Sequence, residues 1–134
     1  MSVKLLKNRT AESGLETTVT NAVIDELTRR RQDLVVGTKQ AEGILSGTIN
    51  RLSTATVARS GTLSALERKA VLSASFVLKD PDGKVLWQRG GISAEQAYVV
   101  EESKAATEMN KRLAIGLAAH RLAEYLYISL TDAF

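Results

Sequence analysis

From Lys69 to Lys79 the sequence alternates without a slip. Ala70, Leu72, Ala74, Phe76 and Leu78 fall on one side, and Lys69, Val71, Ser73, Ser75, Val77 and Lys79 on the other. Strict period-two alternation predicts a strand with one buried and one wet face. At its end stands Asp80-Pro81-Asp82-Gly83. Pro81 presets φ for a type I turn and Gly83 suits the left-handed position after it, which predicts a hairpin over Ala70 to Ala97. With Asp80 facing Lys84, the register sets Leu78 opposite Leu86, Val77 opposite Trp87, Leu72 opposite Ile92 and Lys69 opposite Glu95. Opposite charges across a strand pair help slightly. One residue fits badly: Gln88 falls on the apolar side, opposite Phe76. The Gly90-Gly91 pair beyond it suits a bulge that re-aims the side chains.

That hairpin needs something to cover its apolar face. A chain of 134 residues, 44% hydrophobic, suffices for one domain, 1–134, with its own core. The absence of Cys excludes disulfides, thiolate metal sites and a Cys nucleophile, and leaves the compartment open. Net charge is +3, and aromatic residues make up only 4%, too few for the stacking platforms of single-strand nucleic-acid binders. No stretch reaches membrane-spanning length, and the first residues lack the apolar core of a signal peptide. Met1-Ser2-Val3 runs almost directly into a strand, as expected of a start that replaces a removed targeting segment.

In chain order, Val3 to Leu6 reads as a short strand and Lys7 to Thr10 as a polar loop. Ser13 and Glu16 have capping-box spacing. The helix after them places Leu15, Val19, Ala22, Val23, Leu27 and Arg30 on one stripe, with Asp25–Arg29 and Glu26–Arg30 as i,i+4 pairs. Arg29-Arg30-Arg31 reads better as the cationic last turn of that helix than as a binding cluster. Leu34 to Val36 reads as a second strand, joined to the first by a right-handed crossover into a parallel pair. An extended stretch then runs from Gly43 to Val57, and Ser60-Gly61 marks the return. Ser53 to Leu66 has little bulk to bury and is expected to protrude and to move.

The last third predicts a helix over about Glu101 to Leu130, roughly 45 Å long, which matches the length of the hairpin. Met109, Leu113, Gly116, Leu117, His120, Ala123, Tyr127 and Leu130 share its expected inner face, flanked by Ile115, Leu122 and Leu126. The fold class is therefore α+β: a mixed sheet of four to five strands with a long hairpin, and two amphipathic helices packed on one face.

No constellation points to catalysis. His120 is the only histidine, so neither a His-pair metal site nor a Ser-His-Asp triad with a spare base can be assembled. Neighbouring Glu101 and Glu102 point apart on a helix and suit its N-terminus. Gly43 and Gly47 lack the Lys of a phosphate loop, and Asp80-x-Asp82-Gly83 resembles the start of a calcium loop without the remaining ligands. No cofactor and no metal are expected. The basic residues at the hairpin ends are the binding candidates: Arg51, Arg59, Arg68, Lys69, Lys84 and Arg89.

Several segments, taken together and in order, resemble a known family. Asn8-Arg9-Thr10, Gly14-Leu15-Glu16 and Thr20 to Leu27 look like the start of the LptE family, the lipopolysaccharide-assembly lipoproteins of the Gram-negative outer membrane. Ala41 to Ile49 is similar to that family's A-D-A-x-L-x-G-T-I strand. Asp82 to Gln88 and Glu95 to Val99 resemble its hairpin and the approach to its last helix. The family's signal peptide, lipidated Cys and following segment are missing, which fits truncation to a soluble domain. A lipobox Cys encoded upstream of Val3 is the observation that would test this.

The resemblance implies a scaffold and not an enzyme. It implies two helices on a mixed sheet, a lipid anchor on the periplasmic face of the outer membrane, and a seat inside the barrel translocon subunit LptD. Lipopolysaccharide is the implied ligand, and its phosphates can pair with Lys and Arg. Arg59 is the first candidate for that contact, followed by Lys69, Lys84 and Arg89. The rival reading is a basic nucleic-acid-binding module, motivated by a pI near 9.3 and the Arg29-Arg30-Arg31 run. Such binding would weaken steeply with salt.

Overall fold

The computed structural model describes residues 1–30, 41–60 and 65–134. Two short strands open the chain, β1 (Ser2–Val3) and β2 (Lys7–Asn8), followed by helix α1 (Leu15–Arg29). Three long strands come next, β3 (Ile44–Ser60), β4 (Ala65–Lys79) and β5 (Val85–Val99), and helix α2 (Lys104–Ala133) closes it. The five strands form one sheet in the order β1-β3-β4-β5, with β2 also on β3. It is an α+β fold with a mixed sheet, as expected.

The expected hairpin is β4–β5. Its turn forms as the sequence dictates: the Asp80 amide donates to the Lys84 carbonyl at 2.8 Å, and Gly83 takes φ 91°. The Asp80 carboxylate adds two bonds, accepting from the Asp82 and Lys84 amides at 2.9 and 2.8 Å. Beyond the turn the register departs from the expected one. An extra residue at Leu86 sets Leu78 opposite Trp87, and a second bulge at Gly90-Gly91 sets Ala74 opposite Ile92 and Leu72 opposite Ala94. The first shift carries Gln88 to the wet side opposite Val77 and brings Arg89 opposite Phe76 in its place, with the Arg89 side chain exposed. The second restores phase, so Ile92, Ala94 and Tyr98 face the core. Lys69 now lies opposite Ala97, and it reaches Glu95 diagonally at 3.3 Å.

Strand β3 makes the hairpin a three-stranded meander, pairing with β4 from Ile44↔Lys79 to Ser60↔Ala65. Ser53 to Val57 and Leu66 belong to these long strands, so the segment expected to protrude is paired backbone from both sides as far as Ser60↔Ala65. The parallel partners of β3 are β1 and β2 (Ser2↔Ile44, Lys7↔Thr48). Lys7-Asn8 is thus a strand and not a loop. The break falls at Leu6, whose side chain is buried and whose amide donates to Thr20 Oγ1 on α1 at 3.0 Å. The strand expected at Leu34 to Val36, with Arg31 and Thr38 to Gln40, lies outside the described residues.

Helix α1 buries Leu15, Val19, Ala22 and Val23, as its stripe predicts. It has no capping box: Gly14 is the cap, at φ 83°, and no side chain serves it. Asn8 binds Glu16 instead, donating from Nδ2 to Oε2 at 2.8 Å and to the Glu12 carbonyl at 2.7 Å. Its Oδ1 accepts from the Thr10 amide and hydroxyl at 2.9 and 2.6 Å. This one side chain ties the second strand to the start of α1. At the other end, Glu26 accepts from Arg29 at 2.5 Å and from Arg30 at 2.6 Å. Arg30 also lies over the Tyr127 ring of α2, 5.0 Å from its centroid.

Helix α2 begins after Ser103, whose hydroxyl accepts from the Ala106 amide at 3.3 Å, so Glu101 and Glu102 precede it. Its inner face is rotated from the expected one. Ala114, Ala118, Leu122, Leu126 and Leu130 form one buried ridge, and Ile115, Ala119, Ala123 and Tyr127 the next. Met109, Leu113 and Leu117 are 57%, 61% and 52% exposed, and His120 is exposed as well. The cause is alanine. Four alanines let the helix axis approach the sheet closely, while Leu122, Leu126 and Leu130 fill the remaining gaps. Leu72 and Phe76 of the hairpin are buried beneath them, as expected.

Candidate functional site

The four basic candidates do not gather. Lys84 stands just before β5, at the turn, and is exposed, and Arg89 is exposed within that strand, in register with Phe76. Lys69 pairs with Ala55 on β3, at the other end of β4. From Lys69 to Lys79 is ten residues of strand, roughly 33 Å. Arg59 lies on β3 near its end, and its side chain is outside the described residues. Arg51 is exposed opposite Ser73, and Arg68 is half-buried.

Of these, Lys69 lines a cleft. The cleft holds about 410 Å³ and is lined by Val57, Lys69, Glu95, Gln96, Ala97 and Arg121. Strand alternation sends Lys69 to the face away from the helices, because Ala70 and Leu72 face the core. Lys69 Nζ is 3.3 Å from the Glu95 carboxylate, with both side chains well exposed. Arg121 reaches across from α2 and donates from Nη1 to the Glu95 backbone carbonyl at 2.9 Å. Sequence reasoning missed Arg121. It lies far along the chain from the hairpin, and nothing local to the helix shows that it extends to the sheet.

A second cleft of about 350 Å³ lies between the start of α1 and α2, lined by Glu12, Ser13, Gly14, Leu15, Thr18, Arg112 and Ile115. Lys111 bridges to Glu12 beside it at 3.3 Å. Glu16, held by its own backbone amide and by Asn8, titrates below the ordinary carboxylate value. Glu26 does so as well: burial alone would raise it, and the bonds from Arg29 and Arg30 outweigh that. Two of the three arginines behind the nucleic-acid reading are thus bonded to one carboxylate. Among the described residues no group of His, Cys, Asp and Glu could hold a metal ion, and no helix is long and apolar enough to cross a membrane.

Comparison with solved structures finds the same fold in chains of low identity. A Caulobacter crescentus chain held to be a lipoprotein superposes with a TM-score of 0.65 at 16% identity, over 95% of this chain and 88% of that one. A minor lipoprotein of Acinetobacter baumannii gives 0.58 at 14% identity, over 98% and 90%. The rare lipoprotein B of Shewanella oneidensis gives 0.51 at 13%, over 98% and 95%. No curated protein matches the chain in sequence. The family described as LptE, lipopolysaccharide-assembly, matches residues 1–130, nearly the whole chain, and to that family this protein belongs.

Proposed function

We propose that this domain is a non-enzymatic component of the outer-membrane lipopolysaccharide translocon, seated in the lumen of the LptD barrel and in contact with lipopolysaccharide. The observation that carries the reading is the family match over residues 1–130. Its relatives of like fold include lipoproteins, which supports a membrane-tethered protein at the periplasmic face of the outer membrane. The sheet face turned from the helices adds physical support. Ser46, Thr48, Ser73, Ser75 and Ser93 alternate there with core residues, beside Arg51 and Lys69. A hydroxylated, cationic surface suits a barrel lumen, which is polar, and suits phosphorylated saccharide.

Arg59, Lys69, Lys84 and Arg89 are the proposed phosphate contacts, spread along the sheet and not gathered in one pocket. The test is capture of tagged LptD from detergent-solubilised outer membrane, beside pull-down of lipopolysaccharide aggregates. Recovery of both, with pull-down weakened by charge reversal at Arg59 or Lys69, is the expected result. Capture of neither would overturn the proposal.

A further inference from the structure

We propose that Lys69 and Arg121 form a subsite for a phosphate monoester, in which the Glu95 carboxylate stands in for the ligand at Lys69. The inference rests on the reading that this domain contacts lipopolysaccharide, and it names the place and the competing group.

Three features of the cleft carry it. First, Arg121 is oriented without being neutralised. Its bond goes to a backbone carbonyl, at 2.9 Å, and among the described residues no carboxylate lies within ion-pair distance of it. A guanidinium fixed in this way keeps its remaining N–H groups and its full charge for a planar or tetrahedral oxyanion. Second, Glu95 sits where a ligand would. Among the described residues it is the one acidic group lining the cleft, against two cations, and its bond to Lys69 is 3.3 Å with 57% of its side chain exposed. An exposed pair of this kind is weak, so a dianionic phosphate can displace the carboxylate into solvent. Third, the space is adequate. About 410 Å³ between Val57, Ala97 and the Gln96 amide accommodates a phosphorylated sugar ring.

The decisive variant is Glu95→Gln, which removes the competitor and raises the charge of the cleft. The domain is titrated with inorganic phosphate and with glucosamine 1-phosphate, following the amide resonances of Gln96, Ala97 and Arg121. In parallel it is floated with phosphatidylcholine vesicles with and without phosphatidic acid. E95Q is expected to bind about twofold to fivefold more tightly than the wild type. R121Q and K69Q are each expected to lose about tenfold. Response to the soluble phosphates alone assigns a saccharide-borne or free phosphate, and response to phosphatidic acid alone assigns a lipid headgroup. Lys69 bonds only the exposed Glu95 carboxylate among the described residues, so K69Q carries the test if R121Q melts early. No tightening in E95Q, wild-type affinity in K69Q, or silence toward every probe would overturn the subsite. Such a failure with LptD and lipopolysaccharide capture intact removes the subsite alone; loss of both captures removes the proposed function.

Discussion

The ring of Phe76 occupies the space that a side chain on Gly47 would need. A Cβ built on Gly47 would stand 2.8 Å from Phe76 Cδ1 and 2.9 Å from the Ser75 carbonyl oxygen. The two residues face each other directly across β3 and β4. Gly47→Ala therefore forces either the ring or the ladder to move. The expected cost is about 1–3 kcal/mol, read by urea denaturation. Pairing it with Phe76→Leu should give a sum smaller than the two single costs, since the smaller side chain yields the space.

The Glu26 carboxylate makes stability depend on acid. Its titration lies below the ordinary 4.5, because the bonds from Arg29 and Arg30 outweigh the opposing effect of burial. A depressed acid stabilises the fold fully above the unfolded value, and that contribution is lost as pH falls through the folded one. Thermal melts from pH 7 to pH 3 should show a decline below about pH 4.5 that is shallower in Glu26→Gln. At neutral pH that variant is expected to be about 1 kcal/mol less stable, because both arginines are partly exposed.

Two leucines on opposite sides of α2 separate its true inner face from the expected one. Leu122→Ala should cost about 2–5 kcal/mol, since Leu122 is fully buried. Leu113→Ser should change stability by no more than about 0.5 kcal/mol, because that side chain is 61% exposed. Equal effects in chemical denaturation would contradict the rotated face.

Asn8 serves four hydrogen bonds from one side chain. Asn8→Ala should destabilise by about 1–2 kcal/mol. Amide exchange in the Thr10 to Glu16 segment should accelerate more than in the β4–β5 ladder. Uniform acceleration would show that Asn8 merely adds to global stability.

What the sequence discloses here, it discloses through period and turn chemistry. The alternation of Ala70 to Leu78 and the Asp80 to Gly83 turn specify the hairpin and its buried side. Partner identities along it depend on bulges. Gly90-Gly91 announces one, and Leu86 gives no signal of the other. Because the two insertions total two residues, the residues beyond Gly91 keep their expected side while their partners shift, so Lys69 finds Glu95 by a diagonal. Helix α2 misleads for a different reason. Large apolar side chains draw the eye, yet close approach to a sheet rewards alanine, and Met109, Leu113 and Leu117 are left outside. Arg121 is invisible for want of any local pattern, because its partner is a backbone carbonyl on another element.

The parallel pairing of Ser2 with Ile44 also sets a reach. The first strand enters the sheet beside the start of β3, and β3 then runs seventeen residues to Ser60. At about 3.3 Å per residue the two ends of that strand stand roughly 50 Å apart. The paired ladder makes this span a stiff strut and not a tether. A surface that holds the chain by its first strand therefore holds the far end of β3 at a stand-off longer than a bilayer's hydrocarbon core is thick.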